Sequence, residues 1–243
     1  MFPLRDNIPT DRFPFVTVAL IVANVLMYFF FQKGGLSLGE PSSHGFVCNL
    51  YEYGTIPREV VHGGQVAVQG CPLPEAPTWL TLFTSMFMHG GLLHLGGNML
   101  FLWIFGNNVE DSMGPIKFIA FYLLGGLAAD ALQIITSTNS TVPSIGASGA
   151  VAGVLGGYLL LFPRARVVTV VFIIFFFTIL ELPAIFFLGI WILQQALFAY
   201  FDLVQPSGAG GGVAYFAHIG GFVFGLLFIR AFARRRRAKF GLS

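Results

Sequence analysis

Ser148, His218 and Asn98 bring together a hydroxyl, an imidazole and a carboxamide in a chain otherwise poor in polar groups. A serine beside a histidine is an activated nucleophile with its base. A serine that opens a helix also brings first-turn N–H groups that lack intrahelical partners. Those donors, with the amide of Asn98, can stabilise an oxyanion. No carboxylate stands as an obvious third member, so the pattern reads as a Ser-His dyad aimed at an acyl bond. Each residue alone has a plainer explanation. Ser148 could be an N-cap, and His218 or His94 a structural histidine bonded to a carbonyl. The coincidence of complementary groups at one depth favours the chemical reading.

Two helices must position the pair. Gly149, Gly153 and Gly157 form a small-residue stripe after Ser148, and Ala217, Gly221 and Gly225 form another around His218. Such stripes let membrane helices approach closely. Packed side by side, they bring the hydroxyl next to the imidazole. Depth agrees: at about 1.5 Å per residue, Ser148 lies roughly 24 Å from Arg164 and His218 roughly 18 Å from Arg230. Both spans are shorter than a bilayer's hydrocarbon core. The serine therefore starts its helix below the outer surface, and irregular backbone at that depth needs protein or water around it. His94 and Asn98, four residues apart, share a face of another helix. His89 precedes them across Gly90 and Gly91.

Composition fixes the class. The chain of 243 residues is 56% hydrophobic and 10% charged, with 28 Phe and a mean hydropathy of +0.78. A soluble domain carries about a quarter charged residues; this one reads as an integral multi-pass membrane protein. Apolar runs near 14–31, 92–108, 116–135, 148–162, 183–201 and 213–232 predict an all-α bundle of six transmembrane helices. Arg5, Arg12, Lys117, Arg164, Arg166, Arg230, Arg234 to Arg237 and Lys239 fall on one side of such a bundle, and only Lys33 and Arg58 on the other. By the positive-inside rule both termini are cytoplasmic and the site opens to the extracytoplasmic side. The expected location is a plasma (inner) membrane.

A seventh apolar segment at 167–180 complicates the count. Residues 167–212 must hold an odd number of crossings, and only one fits. That crossing is read as 183–201, with 167–180 an extra interfacial or shallow re-entrant segment; one long kinked helix is the alternative. The long first loop, 32–78, holds Cys48 and Cys71, which an oxidising compartment would join in a disulfide. Two cysteines with His44 and His62 nearby make a poor metal site, so no metal is expected. The basic tail reads as a topology signal and a lipid contact, without a nucleic-acid partner. The whole chain, 1–243, reads as one membrane domain, with a core of about 12–232 and a tail of 233–243.

These residues resemble the rhomboid family of intramembrane serine proteases. The family's Gly-x-Ser-Gly stands as GASG at 146–149. Its His-x-x-x-Asn, preceded by another His, stands as HGGLLHLGGN at 89–98, and its Ala-His-x-x-Gly-x-x-x-Gly as AHIGGFVFG at 217–225. GNNVED at 106–111, with Glu110, is similar to the segment ending the family's second helix. The resemblance spans about 12–232. It implies Ser148 as nucleophile and His218 as general base, with His94, Asn98 and the Ser148 N–H as oxyanion-hole groups. It also implies that His89 holds the outer loop, and that no cofactor takes part. Two departures stand out: Ala152 occupies a position often aromatic in the family, and the first outer loop has no Trp-Arg pair.

The expected function is hydrolysis of a peptide bond near the outer end of a substrate transmembrane helix, releasing the extracytoplasmic part. The partners are transmembrane-helix proteins and the lipid bilayer. The alternative is a catalytically inactive relative that binds membrane helices. A metalloprotease would need a motif like His-Glu-x-x-His, an aspartyl protease a second intramembrane aspartate beside Asp130, and a transporter inverted repeats.

Overall fold

Apolar runs become helices wherever they are long, and the exception is informative. The computed structural model describes residues 1–36, 38, 43–173, 176–204 and 213–233. In chain order these form β1 (Phe2–Asp6), α1 (Phe15–Leu26, continued by a π turn Met27–Phe31), α2 (His44–Tyr53), α3 (Pro57–His62) and α4 (Thr78–Thr84). Next come α5 (Leu92–Phe101, continued by a π turn Leu102–Gly106), α6 (Asn107–Met113), α7 (Pro115–Thr136) and α8 (Ser148–Leu161). The chain then forms β2 (Arg166–Ile173), β3 (Phe176–Pro183), α9 (Ala184–Val204) and α10 (Tyr215–Phe232). Three of these, α7, α9 and α10, are long and apolar enough to cross a membrane; Phe15–Phe31 and α8 are shorter apolar helices.

The architecture is mostly helical rather than all-α. Segment 167–180 is not part of a long fifth helix: it is the β2–β3 pair, matched from Arg166↔Pro183 to Ile173↔Phe176. β1 joins it antiparallel, giving a sheet of order β1-β2-β3. Valine, isoleucine, threonine and phenylalanine dominate β2 and β3, and these residues fit a pleated surface better than a helix. A continuous apolar run carries no periodicity to separate the two outcomes. Phe172, Phe176 and Phe177 stand exposed on the hairpin, which lies beyond the end of α8 opposite Ser148. The arginine run of the tail falls outside the described residues.

The helices are tied at their ends by contacts between distant segments. Glu110, buried on α6, accepts from the Val16 N–H at 3.0 Å, the Thr17 N–H at 2.8 Å and the Thr17 hydroxyl at 2.8 Å. A carboxylate thus satisfies first-turn donors of α1, where the helix dipole favours negative charge. Asp6, at the end of β1, accepts from the Tyr158 hydroxyl of α8 at 2.5 Å and from Asn108 Nδ2 of α6 at 2.8 Å. Burial pushes the Asp6 carboxyl above its ordinary value. In the long loop, Cys48 of α2 is disulfide-bonded to Cys71, with their Cα atoms 5.4 Å apart.

The central packing is α8 against α10 and α7, and α10 against α7. A Cβ on Gly221 would collide with the carbonyl oxygen of Gly149, and one on Gly225 with that of Gly153. The two helices therefore run parallel in a fixed register, backbone against backbone. Gly149 itself faces α7, where a Cβ would lie 2.5 Å from Ala129 Cβ. Gly156, outside both stripes, is equally constrained, because its Cβ would strike the Phe222 carbonyl.

Candidate active site

Ser148 is the first residue of α8. The first helical hydrogen bond runs from the Val151 N–H to the Ala147 carbonyl at 2.9 Å. The N–H groups of Ser148, Gly149 and Ala150 therefore precede the ladder. The chain reaches Ser148 through a loop pinned to the long first loop. Ser144 exchanges backbone bonds with Thr55 at 2.8 and 3.0 Å, and the Gly146 N–H donates to the Ser85 carbonyl at 2.9 Å.

Gly146 is the tightest point of that approach. Its φ is +117°, in the region that favours glycine. A Cβ there would lie 2.7 Å from His94 Nε2 and 3.6 Å from Asn98 Nδ2. The Gly90 N–H donates to His94 Nδ1 at 3.4 Å, which leaves the imidazole proton on Nε2. Two donors, His94 Nε2–H and the Asn98 amide, thus converge beside the serine loop. Asn98 is buried, and its Nδ2 has no hydrogen-bond partner among the described residues. A buried, unpaired amide is expensive, and such a group is what an oxyanion hole needs before substrate arrives.

His218 lies on α10 and lines the same cavity. That cavity, about 390 Å³, is also lined by His94 and Asn98 of α5, Ser148 and Leu155 of α8 and Trp191 of α9. Ser148 and His218 share the cavity without a hydrogen bond between them; such contacts are often long in a free enzyme and tighten with substrate. Behind Ser148 a separate void of about 10 Å³ is lined by Ser85, Asp130 and Ser144. Asp130 thus adjoins the back of Ser148, and not the face shared with His218.

His89 is fully buried, with its ring 5.2 Å from that of His94. Its main chain is clamped by Gln32: the His89 N–H donates to Gln32 Oε1 at 3.0 Å, and Gln32 Nε2 donates to the His89 carbonyl at 3.0 Å. Gln32 went unnoticed in the sequence because it lies 57 positions from its partner. Three other groups lie outside the motifs. Trp191 places its ring 5.8 Å from the His218 ring at 36°, and Tyr215 lies 6.5 Å away edge-on. An aromatic contact to His218 therefore comes from α9, while Ala152 is packed inside α8. Gln195 Oε1 is 2.8 Å from His218 Nδ1. The sequence did offer a signal, since Trp191 and Gln195 are four apart and share a helix face.

Among known families, the Rhomboid domain matches residues 76–235. The chain is similar to Rhomboid protein 1, mitochondrial, of Saccharomyces cerevisiae, 31% identical over 80% of this chain and 59% of that protein. It is 30% identical to Rhomboid protease GluP of Bacillus subtilis, over 60% of this chain and 24% of that one. With Presenilin-associated rhomboid-like protein, mitochondrial, of Mus musculus it shares 29% identity over 61% of this chain and 37% of that protein. The chain spans less than two thirds of the length of each of these relatives.

Proposed function

This chain belongs to the rhomboid family of membrane proteins, and from that premise we propose that it is an intramembrane serine endopeptidase. The observation that carries the proposal is the shared cavity. A serine at a helix start, a histidine and an unpaired buried amide come from three helices to one cavity. The name of the Bacillus relative, a rhomboid protease, agrees with this reading.

In the proposed reaction the Ser148 hydroxyl attacks the scissile carbonyl while His218 Nε2 takes its proton. The carbonyl oxygen, now negative, moves between the Ser148 N–H, Asn98 Nδ2 and His94 Nε2. His218 then gives its proton to the departing amine, leaving an acyl-serine. Water, activated by the same imidazole, attacks the ester, and collapse of the second oxyanion frees the carboxylic acid and restores the serine. The protein needs no metal or cofactor for these steps.

The substrate is a transmembrane helix, which reaches the cavity sideways between α5 and α9. That choice is supported by how lightly these two helices meet: the rings of Phe101 of α5 and Phe187 of α9 lie 6.2 Å apart, and Phe101 and Trp191 both line the cavity. We place six crossings, with both termini cytoplasmic and the site opening outward, in a plasma (inner) membrane. Charge asymmetry supports that orientation, and fractionation with accessibility labelling of the termini tests it. Ser148→Ala and His218→Ala are each expected to abolish cleavage of a helix substrate in proteoliposomes while leaving thermal unfolding unchanged, since members of a catalytic unit fail together. If either variant retained more than about a thousandth of the wild-type rate, the assignment would be lost. The protein would then be better read as a binder of membrane helices.

A further inference from the structure

Gln195 has no task in the reaction as written, yet it is buried on α9 while its neighbour Gln194 is exposed. Its Oε1 lies 2.8 Å from His218 Nδ1, and its Nε2 lies 3.4 Å from the Trp191 carbonyl oxygen. The second contact fixes which way the amide points. Turned over, it would set two oxygen acceptors against each other at Trp191 and its NH₂ against the imidazole. With the oxygen towards His218, only an N–H can answer it, so Nδ1 must carry the ring proton. The lone pair is then left on Nε2, the nitrogen a base needs free.

We infer that Gln195 is a positioning residue, which holds His218 as the Nδ1–H tautomer so that Nε2 stands ready to take the Ser148 proton. The inference rests on His218 being the general base. An amide suits the position because a carboxylate inside the membrane would be costly, whereas a neutral acceptor orients the ring without bringing a charge. Trp191, one turn earlier, lies against the same ring. Both contacts belong to α9, so the base is set only while α9 rests on α10.

The titratable groups around His218 are His94 of α5 across the cavity, Tyr215 on its own helix, and Asp130 of α7 in the void bordered by Ala217. α8 contributes Ser148, and α9 contributes no charged group to the cavity. Against that background an introduced carboxylate has a readable effect. In purified full-length protein, the rate at which a fluorophosphonate labels Ser148 is measured across pH for wild type, Gln195→Met, Gln195→Glu and His218→Ala. Gln195→Met keeps the length and loses the acceptor; a loss of about tenfold is expected, the weight of one orienting hydrogen bond. Gln195→Glu restores an oxygen and recovers most of that rate. It also moves the acid limb of the profile to higher pH, because a carboxylate favours the imidazolium. If Gln195→Met labels like wild type, or Gln195→Glu neither recovers the rate nor moves the limb, Gln195 merely packs. Should Gln195→Met fail to fold, the limb in Gln195→Glu decides alone. The control separates the two claims: His218→Ala labelling at the wild-type rate would remove His218 as base, whatever Gln195 does.

Discussion

Asn98 is a costly residue to keep. Its Nδ2 is buried without a partner, and an unmade hydrogen bond of that kind sacrifices about 1–3 kcal/mol of stability. The cost makes sense if the donor is reserved for charge that exists only during reaction. Asn98→Ala is therefore expected to lower the cleavage rate by about 10² to 10³ while leaving stability unchanged or improved. Cleavage kinetics and a thermal melt on the same preparation check both halves. A rate equal to wild type would take Asn98 out of the oxyanion hole. Gly146 belongs to the same arrangement, because its positive φ and missing Cβ are what let the serine loop lie against His94 and Asn98.

Elements in this protein are held at their ends as much as along their faces. α8 and α10 meet backbone to backbone through glycine, with α7 closing the third side. Since a Cβ at Gly221 would collide with the Gly149 carbonyl, adding a side chain there pushes α10 away from the turn that carries Ser148. Gly221→Val is expected to lose fluorophosphonate labelling and to destabilise the fold by about 1–3 kcal/mol or more. A variant that melts and labels like wild type would show that the close approach does not hold the site together. At the opposite end, Glu110 caps α1 and Asp6 ties β1 to α6 and α8, so the sheet is fastened to the helix that begins with the serine.

At the scale of the molecule, the proposed protease would be restricted by its cavity in what it can cut. A carbonyl inside a regular helix is hydrogen-bonded and sheltered, so a substrate must unwind before Ser148 can reach it. That favours substrates with glycine, proline or small residues near the outer end of the span, where helix propensity is weak. Replacing the helix-breaking residues of a cleaved substrate with leucine is expected to suppress cutting, and moving them to the cytoplasmic half to abolish it. Mass spectrometry of the products locates the cut. An all-leucine span cut at full rate, or a cut on the cytoplasmic side, would overturn the depth and orientation proposed for the site.

What the sequence determined by itself is whatever depends on local pattern. Apolar length marked the six runs that became helices, and the fourfold spacing of small residues marked the faces on which α8 and α10 meet. Motif spacing singled out Ser148, His218, His94 and Asn98, which the structure gathers around one cavity. The tertiary structure decided everything that depends on which distant segments meet. An apolar run without periodicity became β2 and β3, with β1 from the far end of the chain as a third strand. Glu110 found the start of α1 across 93 positions, Tyr158 found Asp6 across 152, and Gln195 found His218 across 23. Apart from Glu110, which GNNVED marks, each of these groups looks, in sequence, like an ordinary polar residue in or beside a membrane helix. Their roles come from buried polar groups having to find partners once the helices are packed, and packing alone sets which partners are within reach.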